Sequence, residues 1–113
     1  MVHLVTAVIR PEKLEPVLAA LTEAGATGMT VTDVRGYGHE PIRTGTFCGS
    51  VYKTVFVPKV KVEIVVPDEK CSQVVETIQS SAKTGRIGDG KIFILPCEEV
   101  IRIRTGERGT AAI

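Results

Sequence analysis

The densest glycine stretch of this 113-residue chain is TGRIGDGK, Thr84 to Lys91. From Gly85 to Lys91 it has the GxxxxGK spacing of a phosphate-binding loop. The match stops at Ile92, where such a loop needs a Ser or Thr for magnesium, and it runs from helix to strand rather than from strand to helix. Two readings remain. In one, glycines let backbone N–H groups approach an anion and Lys91 adds charge beside them; in the other, the segment is an ordinary glycine-rich turn. A second stretch is Ile101-Arg102-Ile103-Arg104-Thr105-Gly106. If extended, it projects Arg102 and Arg104 to one side, about 7 Å apart along a strand. That spacing suits a di- or triphosphate; the alternative is two solvated surface arginines. Charge-assisted hydrogen bonds contribute about 1.5–3 kcal/mol each, so Lys91, Arg102 and Arg104 supply roughly 4–9 kcal/mol gross. Micromolar affinity requires about 8 kcal/mol net, so backbone donors and contacts to the rest of a ligand must add to the cations.

Catalytic spacings are missing. His3 lies in an apolar run and reads as a surface or interface strand residue. His39 stands at a loop entrance, either near a ligand or as a plain loop residue. Neither belongs to an HExxH, GxSxG or paired-carboxylate pattern. Of the cysteines, Cys71 falls on a helical apolar stripe and reads as core, Cys97 follows Pro96 and reads as packing, and nothing near Cys48 marks a reactive thiolate. With no Ser or Thr after Lys91 and no evident base, ATP hydrolysis is opposed, and the chain reads as a binding module rather than an enzyme.

The elements that position these stretches are legible from periodicity. VHLVTAVI, residues 2–9, is a strand. Leu14, Val17, Leu18 and Leu21 mark a helix face that stops at Gly25. Pro16 either kinks that helix or sits in the first turn of a late start. MTVTDVR, residues 29–35, reads as a strand ended by Gly36 and Gly38. Residues 37–57 form a long loop with weak strand character near 51–57, a length that is usually functional or disordered in so small a domain. Lys59 to Pro67 is a strand with Val60, Val62, Ile64 and Val66 on a buried face and Lys59, Lys61 and Glu63 on the other. After Asp68 as N-cap, Cys71, Val74, Val75, Ile78 and Ala82 stripe a second helix that ends at Gly85. Lys91 to Pro96 is a strand, and Val100 to Arg104 is a candidate short one.

This order is that of an α+β, ferredoxin-like (βαββαβ) sandwich, one domain over residues 1–113. Its helices cover one sheet face, and the simplest cover for the other is a copy of the chain. The formal net charge of +1, from 14 basic and 13 acidic side chains, offers no global field for a polyanion. A general nucleic-acid or membrane-surface binder is therefore disfavoured, and 4% aromatics without Trp supply no stacking platform. No membrane-length apolar run or signal peptide is seen, and three cysteines without CxxC spacing fit a reducing, cytoplasmic location.

GMTVTDVRGYG, PKVKVEIVVPDE, TGRIGDGKIF and VIRIRTGERG, in this order and spacing, closely resemble the PII nitrogen-regulatory signal-transduction family over essentially the whole chain. The resemblance implies a homotrimer with nucleotide sites between subunits, where ATP and ADP compete, and a T-loop at about 37–57 that docks onto a target enzyme or membrane transporter. Carried over by position, it puts adenine and ribose near Val8, Gly28, Met29, Thr30, Glu63 and Val65. The phosphates would meet Gly36, Tyr37, Gly38, the backbone of Gly88, Asp89 and Gly90, and Lys91, with Arg102 and Arg104 reaching from the neighbouring subunit.

The departures lie in and around the loop. Where the family has an arginine and then a glutamine that hold Mg-ATP and 2-oxoglutarate, this sequence has His39 and Glu40. Glu40 could ligate Mg²⁺ with bound ATP, but its charge would repel a dicarboxylate. Lys59, which matches the family's 2-oxoglutarate partner, is retained. The usual YRGAEY is FCGSVY here, Phe47 to Tyr52, so Tyr52 keeps the family's modified position while its charged surroundings are lost. The resemblance implies nitrogen regulation by nucleotide and possible 2-oxoglutarate sensing; the altered loop leaves open a divergent relative that serves metal, bicarbonate or other transport without 2-oxoglutarate.

Overall fold

A computed structural model describes the backbone of residues 1–41 and 52–113, and the side chains of 1–38 and 56–113. The chain runs β1 (Val2–Ile9), a 3₁₀ turn (Pro11–Lys13), α1 (Leu14–Glu23), β2 (Thr30–Pro41), β3 (Tyr52–Pro67), α2 (Asp68–Ala82), β4 (Gly90–Cys97) and a final 3₁₀ turn (Gly109–Ala112). The strands form one sheet in the order β2-β3-β1-β4. Every neighbouring pair is antiparallel, the split β-α-β arrangement expected.

Pro16 is the third residue of α1. The first four N–H groups of a helix have no internal acceptor, so its missing donor is harmless there and the helix starts late without a kink. Gly25 follows at φ +96, the left-handed position that ends the helix. On α2 the cap differs from expectation. Pro67 holds the N-cap in extended geometry, and Asp68 opens the helix with Glu69 beside it, where both carboxylates complement the helix dipole. Asp68 Oδ1 lies 2.8 Å from His3 Nδ1. The helix ends at Ala82, ahead of Gly85.

The core is built as the periodicity requires. Val5, Ala7 and Ile9 of β1 and Val60, Val62, Ile64 and Val66 of β3 bury against Val17 and Leu21 of α1 and Val74, Ile78 and Ala82 of α2, with Leu14, Cys71 and Val75 packed at the margin. On the opposite face, register aligns Leu4, Val65 and Leu95 in one row and Thr6, Glu63 and Phe93 in the next. Phe93 and Leu95 are each 47% exposed.

Three expectations are corrected. Gly36 and Gly38 do not end β2; its ladder with β3 runs on through Tyr37↔Phe56 to Pro41↔Tyr52. Val55, Phe56 and Val57 on the facing strand supply β-formers that offset the glycines, and the Tyr37 and Phe56 rings stack with centroids 4.7 Å apart. Within the expected loop at 37–57, residues 37–41 are thus paired strand, as are 52–57, where weak strand character is expected; Phe47 and Cys48 lie outside the described residues. Lys59, on the face expected to be wet or at an interface, is buried within the single chain, at 9% exposure. Finally, Val100 to Arg104 is no strand. Ile101 makes one bridge, to Arg108, and the chain turns back, with Gly106 N donating to Arg102 O (2.7 Å) and Arg102 N to Glu107 O (2.9 Å). Arg102 and Arg104 therefore do not project side by side from an extended segment.

Candidate functional site

A cleft of about 600 Å³ opens where β2 and β3 leave the sheet beside the start of β4. Gly36, Tyr37 and Gly38 line one wall, Gly88, Asp89, Gly90 and Lys91 the other, with Val8 and Lys59 between. Topology explains the meeting: Val8 pairs with both Lys61 and Lys91, so the end of β1 carries the glycine turn to the base of the β2–β3 hairpin. Lys59 crosses the gap. Its Nζ donates to Gly88 O, and its stem runs under Gly36, where a Cβ would stand 3.2 Å from Lys59 Cγ.

The glycine turn is held in shape by a carboxylate. Asp89 Oδ1 accepts from Thr84 Oγ1 and from Arg10 Nε (2.9 Å), and Oδ2 accepts from the backbone N of Thr84 and of Gly85 (2.9 Å each). These donors, Thr84 Oγ1 first and Arg10 next, hold the Asp89 carboxyl far below the usual carboxylate range. Its charge is spent inside the turn, and the cations of this wall are Arg86 and Lys91. Two residues of the cleft escaped sequence reasoning, Arg86 and Phe93. Arg86 sits inside the quoted glycine motif as an overlooked cation, and Phe93 shares the face of Lys91 two residues along the strand.

The remaining expected residues lie elsewhere on the chain. Gly28, Val65 and Arg102 line a second cavity of about 710 Å³, together with Lys70, Gln73 and Ile113. Arg102 is engaged there, Nη1 donating to Glu107 Oε1 (2.7 Å) and Nη2 to Ile113 O (3.2 Å). Arg104 is exposed. Met29 packs against the core, Thr30 pairs with Glu63 across the ladder, and Glu63 accepts from Thr6 Oγ1 at 3.3 Å. From Lys59 to Val65 is six strand residues, about 20 Å, so the two groups of residues lie apart on one chain. The side chains of His39, Glu40 and Tyr52 lie outside the described residues. Among the described residues no three His, Cys, Asp or Glu side chains are grouped to hold a metal, and no helix is long and apolar enough to cross a membrane.

The model of the family "Nitrogen regulatory protein P-II" matches residues 2–107. The chain belongs to the P-II family. A P-II protein of Nostoc punctiforme is 54% identical over 109 residues, 96% of this chain and 97% of its own length. P-II 1 of Escherichia coli is 52% identical with the same coverage. Among solved structures, Arabidopsis thaliana PII bound to citrate superposes with a TM-score of 0.82 at 45% identity, covering 99% of this chain and 92% of that one. This P-II chain is thus a nitrogen-regulatory signal-transduction protein, and the divergent-transport reading is not favoured. Its relatives are named as regulators rather than enzymes.

Proposed function

We propose that this P-II protein binds ATP and ADP competitively, ATP with Mg²⁺, and reports which is bound through the T-loop to an enzyme or membrane transporter of nitrogen metabolism. The observation that carries the reading is the cleft where Gly36 to Gly38, at the base of the β2–β3 hairpin, face Gly88 to Lys91. A polyphosphate there would touch backbone donors and Lys91 on one side and the root of the T-loop on the other, so that one binding event bears on hairpin geometry. Lys91 and Arg86 supply the charge that the consumed Asp89 carboxylate no longer opposes. The citrate bound by the Arabidopsis relative, a small polyanion, is consistent with an anion-accepting protein.

The ligand would complete its site across a subunit boundary. One chain holds the phosphate half around Lys91 and, about 20 Å away along β3, the half lined by Gly28, Val65 and Arg102. Val8, Met29, Thr30 and Glu63 would frame the base and ribose between them, and Arg102 and Arg104 would come from the neighbour. The half-exposed Phe93 and Leu95 on the uncovered sheet face support a homotrimer that brings the halves together. Glu40 with His39 would meet Mg²⁺ and the γ-phosphate, and Glu40 would weaken 2-oxoglutarate binding at Lys59 by charge repulsion. Tyr52 is the position at which a transferase would act.

Calorimetric titration of the purified protein tests this. Mg-ATP and ADP should each bind in the micromolar range or tighter, and Lys91→Ala should weaken both about ten- to a hundredfold. 2-Oxoglutarate added to the ATP-loaded protein should bind weakly. No heat with either nucleotide would overturn the reading.

A further inference from the structure

We propose that Arg10, which does not line the cleft, is a positioning residue for the phosphate-binding turn, acting through Asp89. Arg10 is the first residue after β1, in extended geometry (φ −64°, ψ 140°) just ahead of Pro11. Its guanidinium reaches 79 residues along the sequence, and its side chain is only 16% exposed. Nε donates to Asp89 Oδ1 (2.9 Å) and Nη2 to Ile87 O (2.8 Å), so one rigid planar group holds the turn at two points. Asp89 carries that restraint inward, since its carboxylate also gathers Thr84 and Gly85.

The restraint matters because the turn it holds, tied elsewhere by Lys59 at Gly88 O, is rich in glycine. Gly85, Gly88 and Gly90 all sit at positive φ (+88°, +103° and +101°), and glycine loses more freedom on ordering than any other residue. A phosphate closing an unrestrained turn would bear that ordering cost in its own affinity; a turn fixed beforehand does not impose it. Arg10 has a second effect. It sets a positive charge against the Asp89 carboxylate, which would otherwise face an incoming polyanion from within the cleft wall.

The inference rests on the nucleotide reading, and the test separates the two. ATP and adenosine would be titrated into the full-length wild type and Arg10→Gln. We expect Arg10→Gln to weaken ATP about tenfold and to leave adenosine, which has no phosphate to meet the turn, unchanged. Hydrogen exchange at the amides of residues 84–90 should quicken in the same variant. A general loss of structure would weaken both ligands alike, and that result overturns the inference, as does ATP binding within twofold of wild type. If Arg10→Gln does not fold, Arg10→Lys serves: it keeps the charge, loses the fork, and should still lose ATP affinity selectively, whereas wild-type ATP affinity would count against the inference. A wild type that binds no ATP removes the nucleotide reading and this inference together; a wild type that binds it while the variants do too removes this inference alone.

Discussion

A Cβ atom on Gly90 would lie 1.8 Å from the carbonyl oxygen of Val8 and 3.3 Å from the Cα of Ile9. Both are backbone atoms of β1, held in register on each side by β3 and β4, so neither can move aside. Gly90 also sits at φ +101°. Gly90→Ala should therefore destabilise the protein by about 3 kcal/mol or more, from steric displacement and left-handed strain together. Chemical denaturation of wild type and variant checks this. Gly38→Ala, whose Cβ would meet nothing within 4 Å and whose φ is not positive, is the control and should cost far less.

The Asp89 carboxyl predicts an acid limit. Its pKa in the folded chain is depressed by Thr84, Arg10 and the turn amides, while in the unfolded chain it titrates near the ordinary value of about 3.9. A depressed carboxyl stabilises the fold above the unfolded value and loses that contribution as pH falls from about 4 toward the folded one. Thermal melts of wild type and Asp89→Asn should thus differ most at neutral pH and converge below about pH 4. A gap that stays constant from pH 7 to pH 3 would show that the charge of Asp89 is not what holds the turn.

Burial predicts a contrast between two aliphatic residues. Leu21 is fully buried between the helices and β3, whereas Ile103 is 99% exposed on the turn after Ile101. Leu21→Ala should cost about 2–5 kcal/mol by leaving a cavity, and Ile103→Ala should stay within about 0.5 kcal/mol. Urea midpoints of the two variants measure it.

What the sequence could and could not tell follows from the range of the forces involved. The helix stripes and the alternation of Val60 to Val66 are local, and both appear where periodicity puts them, except that Leu18 of the α1 stripe is only half-buried and stays outside the core. The glycine motif was legible because its residues are contiguous. Arg10 was not, because its partners stand 77 and 79 residues away and only the β1–β4 register brings them together. Gly36 and Gly38 misled because strand propensity is weighed residue by residue, whereas Phe56 and Val57 on the facing strand decide whether the ladder continues. Lys59 misled for a related reason: alternation names a face, and the Gly88 carbonyl over that face comes from a distant turn. Arg102 and Arg104 read as extended until Gly106, at φ +74°, folded the chain back on Glu107.

The uncovered sheet face predicts the assembly state. Leu95 is aligned with Leu4 and Val65, and Phe93 with Thr6 and Glu63, yet both aromatic and aliphatic side chains keep nearly half their surface in contact with solvent on a single chain. A contiguous apolar row of this kind is stable in solution when a partner covers it. If three copies close over it, a charge placed in the row would be buried without a counter-ion at each interface and would cost several kcal/mol per subunit. Leu95→Glu should then shift light scattering from the trimer mass to the monomer mass while circular dichroism keeps the native signature, because Leu95 faces away from the α1–α2 core. The same variant should lose ATP affinity, since the half-site around Lys91 would no longer meet the half lined by Gly28, Val65 and Arg102. Wild type at the monomer mass would refute the trimer, and a Leu95→Glu monomer with undiminished ATP binding would refute the shared site.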